Sequence, residues 1–190
     1  MRVGVLALQG DFEAHAAALR RACASVDVVE VRQRPHLEDL DGLVIPGGES
    51  TTMLKLMEYY GLFDPLREFG AKRPVLGTCA GAILLAREVL NPPQPSLQLA
   101  DLTVERNAYG RQLDSRVVRL PAQELGGPEL EAVFIRAPII RRVGAGARVL
   151  VRYQGDPVLV ECGPHLVATY HPELSQDNRV HARFLAMVAS

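Results

Sequence analysis

The chain has 190 residues, nearly half of them apolar and about a quarter charged, which suits one soluble domain with a core on two sides and is short for two domains. Its formal net charge of −1 and its scattered basic residues give no electrostatic basis for holding nucleic acid or an anionic membrane. No apolar run reaches the roughly 18 residues of a membrane helix, and three widely spaced cysteines describe neither a disulfide framework nor a zinc site, so a reducing, cytoplasmic setting is expected.

Residues 3–8 form a continuous apolar run of strand length. The segment resembles a short signal sequence, but it leads into Gln9-Gly10-Asp11 rather than a small-residue cleavage site, so a buried first strand is the better reading. Residues 11–23, rich in Ala, Leu, Arg and Glu, predict a helix, and the β-branched run 26–31 a strand. Leu43-Val44-Ile45 is a short buried strand ahead of Pro46-Gly47-Gly48. A helix follows over 51–60, with Met53, Leu54, Leu56 and Met57 as its apolar side. Residues 75–78 predict another buried strand and 80–90 another helix. Strand and helix alternating in this order imply a mostly parallel sheet covered on both faces.

Asn91-Pro92-Pro93-Gln94-Pro95 breaks the alternation as a loop. Beyond it, 102–105, 116–120, 132–135, 148–153, 157–161 and 166–170 are strand-like, closely spaced and separated by turn pairs such as Gly155-Asp156. They predict antiparallel hairpins added to the sheet, and 178–188 a closing helix. There is no internal repeat and no linker. The expectation is a single three-layer α/β domain over 1–190: a mostly parallel central sheet, helices on both faces, added antiparallel strands.

Gly77-Thr78-Cys79-Ala80-Gly81 sits where an apolar strand meets a helix, the small-x-nucleophile-x-small pattern of a nucleophile elbow with cysteine in place of serine. The sharp turn projects the side chain out of the sheet, small residues two positions either side avoid collisions, and a helix N-terminus favours thiolate over thiol. Cys23 and Cys162 lack such surroundings and read as packing residues. A thiolate nucleophile needs a group to protonate the departing amine, and histidine suits that near neutral pH. His15, His36, His165 and His181 read as surface or structural residues. His171 differs, because it follows an apolar run and begins His171-Pro172-Glu173. In an extended segment residues i and i+2 face the same way, so Glu173 can orient the imidazole and stabilise its cation. Acyl transfer also needs N–H donors for the developing oxyanion. The amides of Gly47 and Gly48, in a strand-to-helix turn with Ser50 or Thr51 as its cap, and that of Ala80 are the candidates.

These pieces resemble the class I, triad-type glutamine amidotransferases, which share a flavodoxin-like fold. Within them the chain is similar to the glutaminase subunits of pyridoxal 5′-phosphate synthase. The stretches that carry the likeness run in family order along nearly the whole chain: Gly4-Val5-Leu6-Ala7-Leu8-Gln9-Gly10, Pro46-Gly47-Gly48-Glu49-Ser50-Thr51-Thr52-Met53, Gly77-Thr78-Cys79-Ala80-Gly81, Val104-Glu105-Arg106-Asn107, Phe134-Ile135-Arg136-Ala137-Pro138 and His171-Pro172-Glu173-Leu174. Departures are minor: Ala108-Tyr109 stands where a small polar residue and an aromatic are expected, and the 91–95 loop is not a family hallmark.

The resemblance implies that Gly48, Glu49, Ser50, Arg106, Ile135 and Arg136 line a pocket for L-glutamine, whose carboxylate suits arginine and whose ammonium group suits acceptors. It implies hydrolysis of glutamine through a γ-glutamyl thioester, with Cys79, His171 and Glu173 as the triad. It further implies transfer of the ammonia to a (β/α)₈-barrel synthase subunit in a large hetero-oligomer, and no cofactor or metal of the chain's own. Three alternatives stand beside it: an amidotransferase subunit serving another synthase, such as that of the histidine pathway; a hydrolase or stress protein of the ThiJ type on a similar elbow; and a non-catalytic scaffold subunit.

Overall fold

The structure, a computed structural model, describes residues 1–107 and 115–190; the substitutions noted at Ala108-Tyr109 lie outside the described residues. Its centre is a seven-stranded sheet in the order β10-β11-β12-β4-β3-β1-β2. The strands are β1 (Arg2–Leu6), β2 (Asp27–Val31), β3 (Gly42–Ile45), β4 (Val75–Thr78), β10 (Ala147–Tyr153), β11 (Asp156–Cys162) and β12 (His165–Ala168). From β12 to β2 every pairing is parallel, and β10-β11-β12 is an antiparallel extension at one edge. The parallel strands read as unbroken apolar runs because both faces are covered.

Alternation along each strand divides the core in two. Leu6, Leu43, Ile45, Val75 and Val167 face one layer, where Met53, Met57, Leu62, Leu66, Leu84 and Leu85 pack; each of these fully buried side chains contributes roughly 1.5–3 kcal/mol. That layer holds α2 (Ser50–Tyr59), α3 (Phe63–Gly70) and α4 (Ala80–Leu85). Val3, Val5, Val44, Leu76, Leu166 and Ala168 face the other layer, formed by α1 (Phe12–Ala22), α5 (Arg179–Val188) and an antiparallel pair. Buried Val180, His181, Phe184 and Leu185 give α5 its helical stripe, and His15, Ala18 and Leu19 do so for α1. Asp11 caps α1 by accepting the Ala14 N–H at 2.9 Å.

Several expectations are revised. The helix expected over 80–90 ends at Leu85, and the chain turns extended at Ala86 into β5 (Ala86–Leu90). This strand pairs in parallel with β6 (Ala100–Glu105), which pairs antiparallel with β9 (Ile139–Val143). Ladder pairing and the burial of Ala86 and Val89 override the helical propensity of Ala, Arg, Glu and Leu. The later strands do not all join the central sheet: β5-β6-β9 is a separate three-stranded sheet, and β7 (Ser115–Ala122) with β8 (Gly127–Ile135) is a two-stranded hairpin. α3 and β9 have no counterpart among the elements expected from the sequence.

Candidate active site

The C-terminal ends of three adjacent parallel strands converge. Pro46-Gly47-Gly48 follows β3, Cys79 follows β4 and His171 lies just beyond β12. This is the position at which open α/β sheets gather ligands, as the sequence led us to expect.

Cys79 joins β4 to α4 with φ 48° and ψ −102°, a conformation costly for a side-chain-bearing residue. The surroundings enforce it. A Cβ on Gly77 would lie 2.7 Å from the Gly81 carbonyl oxygen, and one on Gly81 would lie 2.1 Å from that of Ile45. Both glycines therefore allow backbone to pass backbone, the requirement inferred for an elbow. The Cys79 N–H donates to the Ala168 carbonyl at 2.9 Å, tying the turn to β12, and Sγ lies 3.9 Å from the Ile135 carbonyl. With α4 only six residues long, its dipole is a smaller influence on the sulfur than the eleven-residue helix expected from sequence would have been.

His171 is held from three sides. Its N–H donates to Val133 of β8 at 2.8 Å, and its ring Nδ1 meets Glu173 Oε1 at 2.7 Å. Phe134 packs between Tyr153 and Tyr170, at 5.2 and 5.5 Å between centroids, fixing the hairpin against the approach to His171. The His-x-Glu geometry arises differently from the extended segment expected: Pro172–Leu174 is a 3₁₀ turn with Pro172 at its start, and the turn swings the Glu173 carboxylate back under the imidazole. Burial alone would lower the His171 pKa. Hydrogen bonding and charge attraction from Cys79 and Glu173 outweigh it and push the value up to about 10. The imidazole is therefore a cation near neutral pH.

Gly47 makes room for this arrangement, since a Cβ there would sit 2.4 Å from His171 Cε1 and 3.2 Å from Cys79 Cβ. Ala80 is the first residue of α4, so its N–H has no partner within the helix. The cap of α2 is Glu49, not Ser50 or Thr51: its carboxylate accepts the Thr52 N–H at 2.8 Å, and although partial desolvation pulls its pKa up, bonds from Thr51 and Thr52 together hold it down. Glu49 also pairs with Arg106 at 3.3 Å, and its own N–H donates to Gln9 Oε1 at 3.2 Å.

A cleft opens over Cys79 and His171, and Gly48, Glu49, Ser50, Arg106, Ile135 and Arg136 all line it. Arg106 is almost wholly buried beside Glu49, whereas Arg136 is exposed and sits at φ 45° in the turn after β8. Ile83, Asn107 and Pro138 complete the lining, and Gln94 accepts the Ser50 hydroxyl at 3.0 Å. Asn107 and Pro138 lie inside stretches already singled out, while Ile83 and Gln94 carry no local signal. Cys162 is buried, its Sγ accepting the Asp101 N–H at 3.1 Å, and Cys23 is half-buried. His15, His165 and His181 are buried rather than superficial.

A model of the SNO glutamine amidotransferase family matches residues 5–190. A Solibacter usitatus protein named pyridoxal 5′-phosphate synthase subunit PdxT is 59% identical over 190 residues, covering 97% of this chain and 98% of that one. A Koribacter versatilis protein of the same name is 53% identical over 188 residues, covering 99% and 96%. A solved structure described as a crystal structure of glutamine amidotransferase superposes with a TM-score of 0.90 at 46% identity and covers 99% of each chain. An elbow cysteine, an imidazole and a carboxylate at the ends of β4 and β12 thus coincide with likeness along the whole length, and the chain belongs to the SNO glutamine amidotransferase family.

Proposed function

We propose that this chain hydrolyses L-glutamine to L-glutamate and ammonia and delivers the ammonia to a (β/α)₈-barrel synthase subunit that builds pyridoxal 5′-phosphate. The observation that carries the reading is that Cys79 and His171 line one cleft together, packed against Gly47 and with His171 bonded to Glu173 at 2.7 Å, where two arginines also line the walls. The reaction starts from the Cys79 thiolate beside the His171 imidazolium. The thiolate attacks the side-chain carboxamide carbon, and the amides of Gly47, Gly48 and Ala80 receive the oxyanion. As the C–N bond breaks, His171 gives its proton to the departing nitrogen, and a γ-glutamyl thioester remains on Cys79. The neutral imidazole then takes a proton from water, the hydroxide adds to the thioester carbon, and C–S cleavage returns the thiolate. Glu173 accepts the Nδ1–H throughout and balances the imidazolium. Arg106 and Arg136 bind the α-carboxylate, and Glu49 faces the α-ammonium group.

Ammonia that reaches bulk water is protonated and loses its nucleophilicity, which favours a passage directly into the partner within a hetero-oligomer. The relatives' shared name, a subunit of pyridoxal 5′-phosphate synthase, supports a synthase of that kind as the partner. A cytoplasmic location accords with three unpaired cysteines and with the fact that no helix among the described residues is long and apolar enough to cross a membrane. The test is ammonia release from glutamine by the chain with and without the barrel subunit of its own organism. Cys79→Ala is expected to lower kcat by roughly 10⁴-fold or more, while the assembled complex still makes pyridoxal 5′-phosphate from added ammonium salt. A Cys79→Ala complex that releases ammonia normally overturns the proposal. Recovery of a different synthase in a pull-down reassigns the partner alone.

A further inference from the structure

Behind Glu173, on the side away from the cleft, lie two fully buried histidines that the reaction as written does not use. His15 of α1 places Nε2 at 3.3 Å from Glu173 Oε2 and 3.1 Å from the Thr78 hydroxyl, one residue before Cys79. Its Nδ1 meets Nε2 of His181, on α5, at 3.0 Å. Each contact constrains where the protons sit. Glu173 Oε1 already faces His171, so Oε2 needs a donor, and no strictly aligned one reaches it among the described residues. A His15 ring with a bare Nε2 would aim a lone pair at a carboxylate oxygen, so the proton belongs on Nε2, shared between Glu173 and Thr78. Nδ1 must then accept, and His181 must donate from its own Nε2. This leaves His181 Nδ1 bare and unpartnered, which costs less than a buried N–H without an acceptor.

We propose that His15, set in its tautomer by His181, is a positioning residue: its Nε2–H holds the second oxygen of Glu173, so that the carboxylate stays aligned on His171 through both halves of the reaction. The inference rests on the proposed roles of Cys79, His171 and Glu173. The charged and titratable groups facing the histidine pair are Glu173 and His171 beyond β12, and Arg21 of α1, which acts on His181. Burial first, then the proximity of His181 and of the His171 imidazolium, keeps His15 well below the ordinary histidine range, and burial with Arg21 lowers His181 to about 4. Both rings are therefore neutral at working pH, as the directed chain from His181 through His15 to Glu173 requires.

The experiment compares His15→Leu and His15→Gln with the wild-type chain in complex with the barrel subunit. Leucine removes the donor, whereas the glutamine amide N–H can occupy the place of Nε2–H. His15→Leu is expected to lower kcat roughly tenfold or more with KM within about twofold. The pH profile for alkylation of Cys79 by iodoacetamide is expected to move upward by about one unit, with His15→Gln recovering most of both losses. Nitrogen-15 spectra of the wild-type chain should show Nε2–H tautomers at His15 and His181. Wild-type kcat in His15→Leu overturns the proposal, as does equal loss in both variants with an unmoved alkylation profile, which would mark His15 as packing. An Nδ1–H tautomer at His15 overturns it too, without recourse to either variant. Absence of glutaminase activity in the wild-type complex refutes instead the reading on which the proposal rests.

Discussion

At the scale of single residues, the site depends on atoms that are absent as much as on those present. Gly47 is buried against His171 and Cys79, and its missing side chain is the space the imidazole occupies. In Gly47→Ala the new methyl group would meet Cε1 at 2.4 Å and Nδ1 at 3.0 Å, while Glu173 at 2.7 Å resists the ring's retreat. A displacement of this kind costs alignment more than stability, so kcat is expected to fall about 100-fold while the melting temperature changes by only a few degrees. Steady-state kinetics beside a thermal melt checks this, and kcat within threefold of wild type would contradict the geometry. The pairing of Arg106 with Glu49 belongs to this scale too: the arginine is nearly buried and paired with a carboxylate that also caps α2, so the pocket's ion pair and the helix start share one side chain.

At the scale of elements, the crossing of α4 over the end of β3 fixes where the elbow lies. A Cβ on Gly81 would sit 2.1 Å from the Ile45 carbonyl oxygen, and that atom belongs to a central strand that cannot yield as a flexible side chain can. Gly81→Ala is expected to cost about 3 kcal/mol, read as a lower urea midpoint at unchanged m. Gly146→Ala, with nothing within 4 Å, is expected to stay within about 0.5 kcal/mol of wild type. The same crossing explains what was legible in the sequence. The elbow and His171-Pro172-Glu173 are local constraints, written in five and three consecutive residues. The parallel alternation from β1 to β4 is likewise a local pattern repeated. By contrast, β5 is defined by a partner strand at 100–105, and its own residues favour helix. Pro65 in the first turn of α3 reads as a break, although the spacing of Phe63, Leu66 and Phe69 contains the helical signal. His15 and His181, 166 positions apart, meet only because α1 and α5 pack side by side. The pocket residues Arg106 and Arg136 were placed by family likeness, since nothing in their spacing distinguishes them from exposed strand residues.

At the scale of the whole molecule, buried histidines set opposite limits on pH. His165 and His181 are lowered from 6.5 to about 4, the first by burial alone, the second by burial and then Arg21. Unfolded, each takes a proton below 6.5; folded, each refuses it until about 4. Their contribution is therefore intact above pH 6.5 and is lost as pH falls toward 4, at roughly 3 kcal/mol each when fully expressed. His171 works the other way. Raised to about 10, it adds stability that is whole below 6.5 and fades as pH climbs toward 10. Calorimetric melts from pH 4 to 10 are expected to peak near neutrality and fall on both sides. His171→Ala should flatten the alkaline fall and leave the acid one in place; an unchanged alkaline limb would contradict the assignment. The same division of the chain has a consequence during biosynthesis. The thiol at 79 leaves the ribosome long before the imidazole and carboxylate at 171 and 173, and β12, which brings them alongside β4, can pair only after β10 and β11 exist. Until β12 docks beside β4 the nascent thiol has no imidazole beside it, so the catalytic group is assembled only as the last three of the seven strands lock into place.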